Sequence, residues 1–366
     1  MKPTPAEFTF WRRPRRGSRN PEDQTNMFWF WCVDNKQDAF GAVQELGGPD
    51  SSTVGPCWSA VRFGQTRTEL PDGSFVSIGG EHEDHYDPDF YIYNDVWVES
   101  PEGELTIYGY PRADFPPTDF HSATLVGHEI WVIGNLGYPE DRNSEQTQVL
   151  KLDTRSWKMS RVETQGSPGW ISRHQADYDP SREVITFTKL QRWSEKNDLA
   201  DDFSTWELDL KSLRWRCVEM KDWTQYRFRR LDGESCDLAQ IRMAAEMQGL
   251  DLNMAAGMIK DAAPLEGMDY FQNMQAEMLK GVDTSAIEGL YRPSIDHKVL
   301  PSSPDEFLTK MIEIEGIKLR FVEEFRGVLL TIEGILPEHQ LQTLLKETCE
   351  QMQAIDGAEY QATMIQ

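Results

Sequence analysis

The sequence predicts a mainly β N-terminal part, followed by a helical segment and a small α+β C-terminal domain. Three changes of texture carry that expectation. Up to about Asp232 the chain is rich in Trp, Tyr, Phe, Gly and Pro and runs in short alternating stretches. From Glu234 to Gly289 aromatic residues nearly vanish and Met, Ala, Leu and Gln take over. Near Tyr291 a Pro-marked stretch (Pro293, Pro301, Pro304) leads into a third region of alternating runs closed by one long helical pattern. Read this way, residues 1–56 are an N-terminal arm with aromatic strands packing on the β part, and residues 57–232 are the β repeats. Residues 233–292 are the Met-rich helical segment, and 293–366 the α+β domain.

Composition bounds the answer before any motif does. At 366 residues the chain has length for roughly two domains. Lys and Arg number 37 against 61 Asp and Glu, a net charge of −24. That balance argues against a duplex-DNA or anionic-membrane binder, because phosphate recognition needs a positive face. Hydrophobic content of 39% with 11% aromatics excludes a disordered chain. The longest apolar run, Met27 to Val33, falls far short of the ~20 residues that span a bilayer. No apolar signal sequence follows the first methionine. Five scattered cysteines without a CxxC spacing point to free thiols and a cytoplasmic protein, with no cofactor implied.

Each element has its own signal. Phe75–Ile78, Glu129–Ile133, Gln148–Leu152 and Glu183–Thr188 alternate as half-buried strands bounded by turn residues. Phe8–Trp11, Met27–Cys32 and Asp222–Arg230 are candidates for further strands, completing a divergent unit or covering an open edge. Met243 and Met247, Met254 and Met258, and Met274 and Met278 are four apart, which puts each pair on one helix face. Ordinary core is the plain reading of such pairs; an adaptable binding groove is the sharper one. Ile312–Ile317, Lys318–Val322 and Val328–Ile332 read as strands. Pro337–Gln353 reads as a helix with Leu341, Leu344 and Leu345 on one side, and Tyr360–Ile365 as a last strand. From residue 231 onward there are 24 acids and 10 bases, so 14 of the 24 excess negative charges lie there. The first 20 residues carry six bases against one acid.

Three segments of the β part share one layout, and their spacing of ~50–60 residues with four strands each is propeller-blade arithmetic. The first runs from Cys57-Trp58 through Phe75–Gly80 and Tyr93–Val98 to Tyr108. The second runs from Phe120-His121 through Ile130–Asn135 and Gln148–Asp153 to Trp157. The third runs from Arg173-His174 through Val184–Thr188 and Ser204–Asp209 to Trp215. Alanines recur at 60, 123 and 176. This layout resembles the kelch family, whose repeat carries H-S-A-x-x-V, I-x-V-x-G-G, V-x-x-x-D and a late Trp. The second segment matches best; the first has Tyr108 in place of the Trp, and the third lacks the paired glycines. The resemblance covers residues 57–218 and implies a kelch-like β-propeller or partial propeller of at least three four-stranded blades. A small ring, an open arc capped by helices and an arc completed by a second copy all satisfy it.

Chemistry is sparse. The loop Glu81-His82-Glu83-Asp84-His85-Tyr86-Asp87-Pro88-Asp89 offers imidazoles and carboxylates of the type that hold zinc, manganese or iron. It reads equally as a solvated recognition loop. The equivalent connections are 137–143 and 190–198, and in a propeller all three emerge on one side. Together they present Glu81, His82, Asp84, His85, Tyr86, Tyr138, Arg142, Arg192 and Trp193 as candidate partner-binding residues, because Tyr, Trp and Arg dominate interface energetics. Packing back on the blades is the bland reading of the same side chains. No Gly-x-Ser-x-Gly elbow, Walker A loop or His-Glu-x-x-His helix appears. His121 and His174 occupy equivalent positions, where packing or a strand hydrogen bond is the expected role. The Trp11–Arg19 block reads as a segment lying against the protein's own carboxylates, or as an arm for nucleic acid or an acidic partner.

These features point first to a non-enzymatic protein–protein interaction module that uses propeller loops and an acidic surface. The −24 charge and a likeness to bacterial kelch-motif proteins suggest an immunity or antitoxin-like protein, steered onto a basic toxin such as a nuclease. A metal-binding protein or metal-dependent enzyme built on the 81–89 loop is the remaining alternative.

Overall fold

The computed structural model of the chain describes residues 2–48, 54–82, 88–195, 198–247, 276, 279–301, 309–324 and 327–365. They form two units, Met1–Met220 and Lys221–Gln366.

The first unit is built on three antiparallel meanders. The first comprises β2 (Thr66–Glu69), β3 (Phe75–Ile78), β6 (Asp95–Glu99) and β7 (Leu105–Gly109). The second comprises β8 (Ser122–Val126), β9 (Glu129–Ile133), β10 (Val149–Asp153) and β11 (Met159–Arg161). The third comprises β13 (Gln175–Asp179), β14 (Val184–Thr188), β17 (Thr205–Asp209) and β18 (Arg214–Glu219). The first strands adjoin in sequence, β2 beside β8 and β8 beside β13. The four-strand repeats are therefore present as sheets, and no closed sheet occurs among the described residues.

Alternation explains the stacking. Ile130, Val132, Leu150 and Leu152 of the second meander share a core with Ile78 and Val96 of the first. Trp131, Ile133 and Val149 on its other face meet Ile185, Phe187, Leu208 and Trp215 of the third. A sheet apolar on both faces needs a neighbour on each side, whereas the end sheets need a cover or a polar outer face. The first meander is covered by helices: Phe28, Trp29, Trp31 and Cys32 pack on Trp58, Trp97 and Ile107. The third ends in a polar row across the sheet, Asp177–Thr186–Glu207–Arg216. Arg182 and Arg216 both pair with the Glu207 carboxylate in that row.

The covering helices correct one expectation. Phe8–Trp11 and Met27–Cys32 were candidate strands; they are α1 (Pro5–Trp11) and α2 (Met27–Asn35), followed by α3 (Ala39–Leu46). Thr4 and Glu7 form a capping box with Pro5 in the first turn. The Asn26 side chain accepts from the Phe28 and Trp29 N–H groups, as an N-cap should. Buried Phe28, Trp29, Trp31 and Cys32 follow helical rather than alternating spacing.

The arm between these helices closes sheet edges. β1 (Glu22–Gln24) pairs with β7. Asn20 donates through Nδ2 to the Met159 carbonyl and accepts from the Met159 N–H through Oδ1, at 2.7 and 2.9 Å. Gln165 bonds both Leu213 and Trp215 beside β18. All three outer strands are thereby blunted against further pairing.

The second unit is a six-stranded sheet of β20 (Lys298–Leu300), β21 (Thr309–Ile314), β22 (Ile317–Glu324), β23 (Gly327–Glu333), β19 (Thr224–Arg230) and β24 (Tyr360–Met364), in that order. Its helices are α4 (Leu238–Met247), α5 (Thr284–Gly289) and α6 (Glu338–Asp356). Leu344, Met352 and Ile355 of α6 pack with Leu319, Phe321, Val328 and Leu330 of the sheet. Arg242 bonds both oxygens of Glu323, which also accepts from the Tyr291 hydroxyl, so the buried charge pair is hydrogen-bonded throughout. The expected strands and long helix of 293–366 are all present, and the region is α+β.

One assignment moves. Thr224–Arg230 lies between β23 and β24 and sends Tyr226 and Phe228 into this second core, so the division falls at 220/221 rather than 232. Met254, Met258, Met274 and Met278 lie outside the described residues, as do the side chains of Met243 and Met247.

Candidate protein-binding face

The connections between second and third strands stand at equivalent places in the three meanders. In the first, a short hairpin of β4 (Glu81–His82) and β5 (Tyr91–Ile92) replaces the expected loop. In the second, residues 134–148 hold a 3-10 turn at Pro139–Asp141. In the third, the stretch read as a loop is the hairpin β15 (Leu190–Ser194) and β16 (Asp198–Asp202), to which β12 (Trp170–Ser172) adds a third strand.

The first two connections touch, and the second also meets β12, which flanks the third. The Tyr138 hydroxyl accepts from the Ile92 N–H at 2.9 Å, and its ring meets Phe90 edge-on. Trp170 Nε1 donates to the Leu136 carbonyl at 3.1 Å. Beside these connections lies a polar cleft of about 440 Å³, lined by Arg112, Asn143, Gln146, Arg161 and Trp170 among others.

Most of the candidate side chains serve the fold here. His82 is buried; its Nδ1 lies 2.7 Å from the Tyr93 hydroxyl. That hydroxyl also accepts from the Ser59 N–H, and the ring's Nε2 lies 3.5 Å from Asp89. Glu81 pairs through its backbone with Phe63. Its side chain bonds the buried Asp119 carboxyl, which burial pushes up against the pull of the Gly137 N–H, Arg173 and Arg142. Arg142 donates to the Leu136 and Gly137 carbonyls. Arg192 is ion-paired with Asp202, and Trp193 lies across from Trp170 and Leu199 in its sheet. Asp84, His85 and Tyr86 lie outside the described residues.

Sequence reading missed the buried centre of the first meander. Arg62 grips Asp95 with two nitrogens and sits among Trp58, Tyr93 and Trp97, with its guanidinium 3.3 Å from the Tyr93 ring centre. Trp58 Nε1 donates to the same carboxylate at 3.0 Å. Nothing local to Arg62 announces a partner thirty-three residues away. Burial pushes the neighbouring Cys57 thiol up to about 12, which makes it an inert thiol at neutral pH. Among the described residues no group of three His, Cys, Asp or Glu side chains is placed to hold a metal ion.

The two repeat histidines are joints. His121 Nε2 lies 2.8 Å from Thr66 Oγ1 of the first meander, and His174 Nε2 lies 2.9 Å from Ser122 Oγ of the second. Each rests against a left-handed glycine, Gly79 or Gly134, where a Cβ would meet the ring or a nearby carbonyl oxygen. Burial drives the His121 ring down to about 3 and the His174 ring down to about 4.

No family model matches the chain. A stretch of 108 residues is 32% identical to the tRNA wybutosine-synthesizing protein 2/3/4 of Arabidopsis thaliana, covering 29% of this chain and 10% of that protein. The chain thus spans about a tenth of that relative's length. The solved structure of YjhT matches 47% of the chain and 58% of its own, with 12% identity and a TM-score of 0.34. Neither likeness assigns a family at that coverage and score. A mainly β chain of several antiparallel four-stranded sheets is compatible with the kelch resemblance. Among the described residues no helix is long and apolar enough to cross a membrane.

Proposed function

We propose that the chain is a non-catalytic, kelch-like protein-binding module whose partner docks on the face built by the three connections. The observation that supports this reading most is the contact of the first two connections through Ile92–Tyr138, with the second also bonded through Leu136–Trp170 to β12, the strand that borders the third. Recognition surfaces of this kind are loops held by a rigid scaffold. Among the described residues, His82 on Tyr93 and Cys57 on its buried backbone are engaged in the fold. The polar rim that is left, Glu140, Asn143 and Gln146, is exposed and is the part free to meet a partner. The net charge of −24 adds a long-range field that speeds encounter with a basic protein and makes the association salt-sensitive.

The test is parallel affinity capture from the native cell with the full chain and with a Glu140→Ala, Asn143→Ala, Gln146→Ala variant. A stoichiometric protein partner, retained by the parent chain and released by salt, should be lost from the variant. The same proteins on both columns would place the binding surface elsewhere. Turnover of a substrate by the purified chain would end the non-catalytic reading.

A further inference from the structure

The N-terminal arm holds a block of the sequence where bases outnumber acids six to one. Arg62, Arg112, Arg182, Arg192 and Arg242 are each ion-paired with a carboxylate. Arg13, Arg15, Arg16 and Arg19 are exposed and make no carboxylate ion pair among the described residues. They are fixed by other means. Arg13 donates to the Val54 carbonyl. Arg15 lies over the rings of Trp11 and Trp29 and donates to Gln24 Oε1. Arg16 lies beside Tyr91, whose hydroxyl burial pushes up against the pull of that guanidinium, and its charge also acts on Tyr138. Glu22, on which the charges of Arg15 and Arg19 also act, has its carboxylate bonded by the Ser18 N–H and hydroxyl.

The arm is also anchored. Gly17 lies so close to the Gly109 carbonyl that any Cβ would collide with it, and its N–H bonds the Tyr110 carbonyl. The positive charges are therefore presented on a fixed backbone and not on a loose tail. Phe10, three-quarters exposed, stands at the same end of the arm with its ring against Trp11.

We propose that Arg13, Arg16 and Arg19, with Phe10, form a docking patch for a short acidic peptide segment carrying one large apolar residue. The inference deepens the protein-binding reading and rests on it, since the arm pairs through β1 with the first meander, whose connection forms part of the proposed face. Charge complementarity selects an acid, and the extent of the patch selects a short one. A polynucleotide carries its charge onward past the patch and onto a surface with 24 excess negative charges, where it is repelled. A short peptide keeps its charge on the arginines of the patch, where screening sets a range of about 8 Å at physiological salt. A partner that must meet both this patch and the acidic remainder is fixed in orientation by charges of both signs.

The experiment is fluorescence anisotropy on the full chain with a labelled Asp/Glu-rich peptide of roughly ten residues containing one Phe, against oligothymidine of matched length. The peptide should bind, weaken as salt rises, and lose about tenfold in affinity on Arg13→Ser, Arg16→Ser, Arg19→Ser. The matching triple Lys variant, which keeps the charge, should restore most of the binding and guards against a folding defect in the Ser variant. Tighter binding of the oligonucleotide than of the peptide, or peptide binding indifferent to the Ser variant, overturns the proposal. Loss of the peptide site with partner capture through Glu140, Asn143 and Gln146 intact would sink this inference alone. The reverse result would sink the connection face and leave the patch standing.

Discussion

His121 and His174 show how one residue joins two sheets and what that costs at low pH. Each imidazole is neutral, bonded to a hydroxyl of the preceding meander, and buried where a charge is poorly solvated. Their folded values, about 3 and about 4, lie below the ordinary 6.5, so the unfolded chain takes up protons first. Stability from these groups is complete above about pH 6.5 and is lost as pH falls toward 4 and then 3, at up to ~1.4 kcal/mol per pH unit for each ring. Carboxylates held low by hydrogen bonds, such as Glu207 and Asp209, act in the same direction but only below about pH 4.5, their unfolded range. Asp119, raised by burial, acts oppositely, losing its contribution as pH rises. Urea unfolding between pH 4.5 and 6.5 should therefore show a slope that shrinks in His121→Asn and shrinks further in the double variant with His174→Asn. An unchanged slope would mean that the rings already carry their protons in the fold.

At the level of elements, what was legible in the sequence depended on how local the physics is. Alternating strands such as Glu129–Ile133 and the 338–356 helix announce themselves, because each pattern is complete within one element. The helices over 5–11 and 27–35 had signals too, in Thr4-x-x-Glu7 and Asn26, but their dense aromatics look like strand residues until burial shows the helical spacing. The role of 224–230 was hidden, since a strand does not specify which sheet it enters; Tyr226 and Phe228 find their core a hundred residues later. Within the candidate face, Tyr138 could be singled out by type, whereas the Arg62–Asp95 pair depends on separation in space alone. Edge protection is equally non-local. Asn20 serves both polar groups of Met159, so Asn20→Ala should strand an N–H and a C=O at an outer edge and cost about 1–2 kcal/mol. The check is a lower urea midpoint at unchanged m-value, with Asn20→Asp, which keeps the acceptor alone, falling between. Equal midpoints for all three would show that water satisfies Met159 as well as Asn20 does.

For the whole molecule the question raised by three repeats is what stops the stack. A sheet array with apolar faces at both ends would recruit further sheets or further chains. Here the helices cover the first meander, and the third turns outward a row of Asp177, Thr186, Glu207 and Arg216 in place of an apolar face. A fourth repeat is thus not required to bury the faces of these three sheets. The same reasoning separates two truncations that differ by twelve residues. Residues 1–220 contain every core cluster of the first unit and none of the second. They should express as a monomer that unfolds in one cooperative transition. Residues 1–232 add Thr224–Arg230 without its neighbours at 327–333 and 360–364, leaving Tyr226 and Phe228 uncovered on an unpaired strand. That longer piece should aggregate or self-associate in sedimentation at concentrations where the shorter one stays monomeric. Soluble 1–232 beside unfolded 1–220 would return the strand to the repeats and refute the division at 220/221.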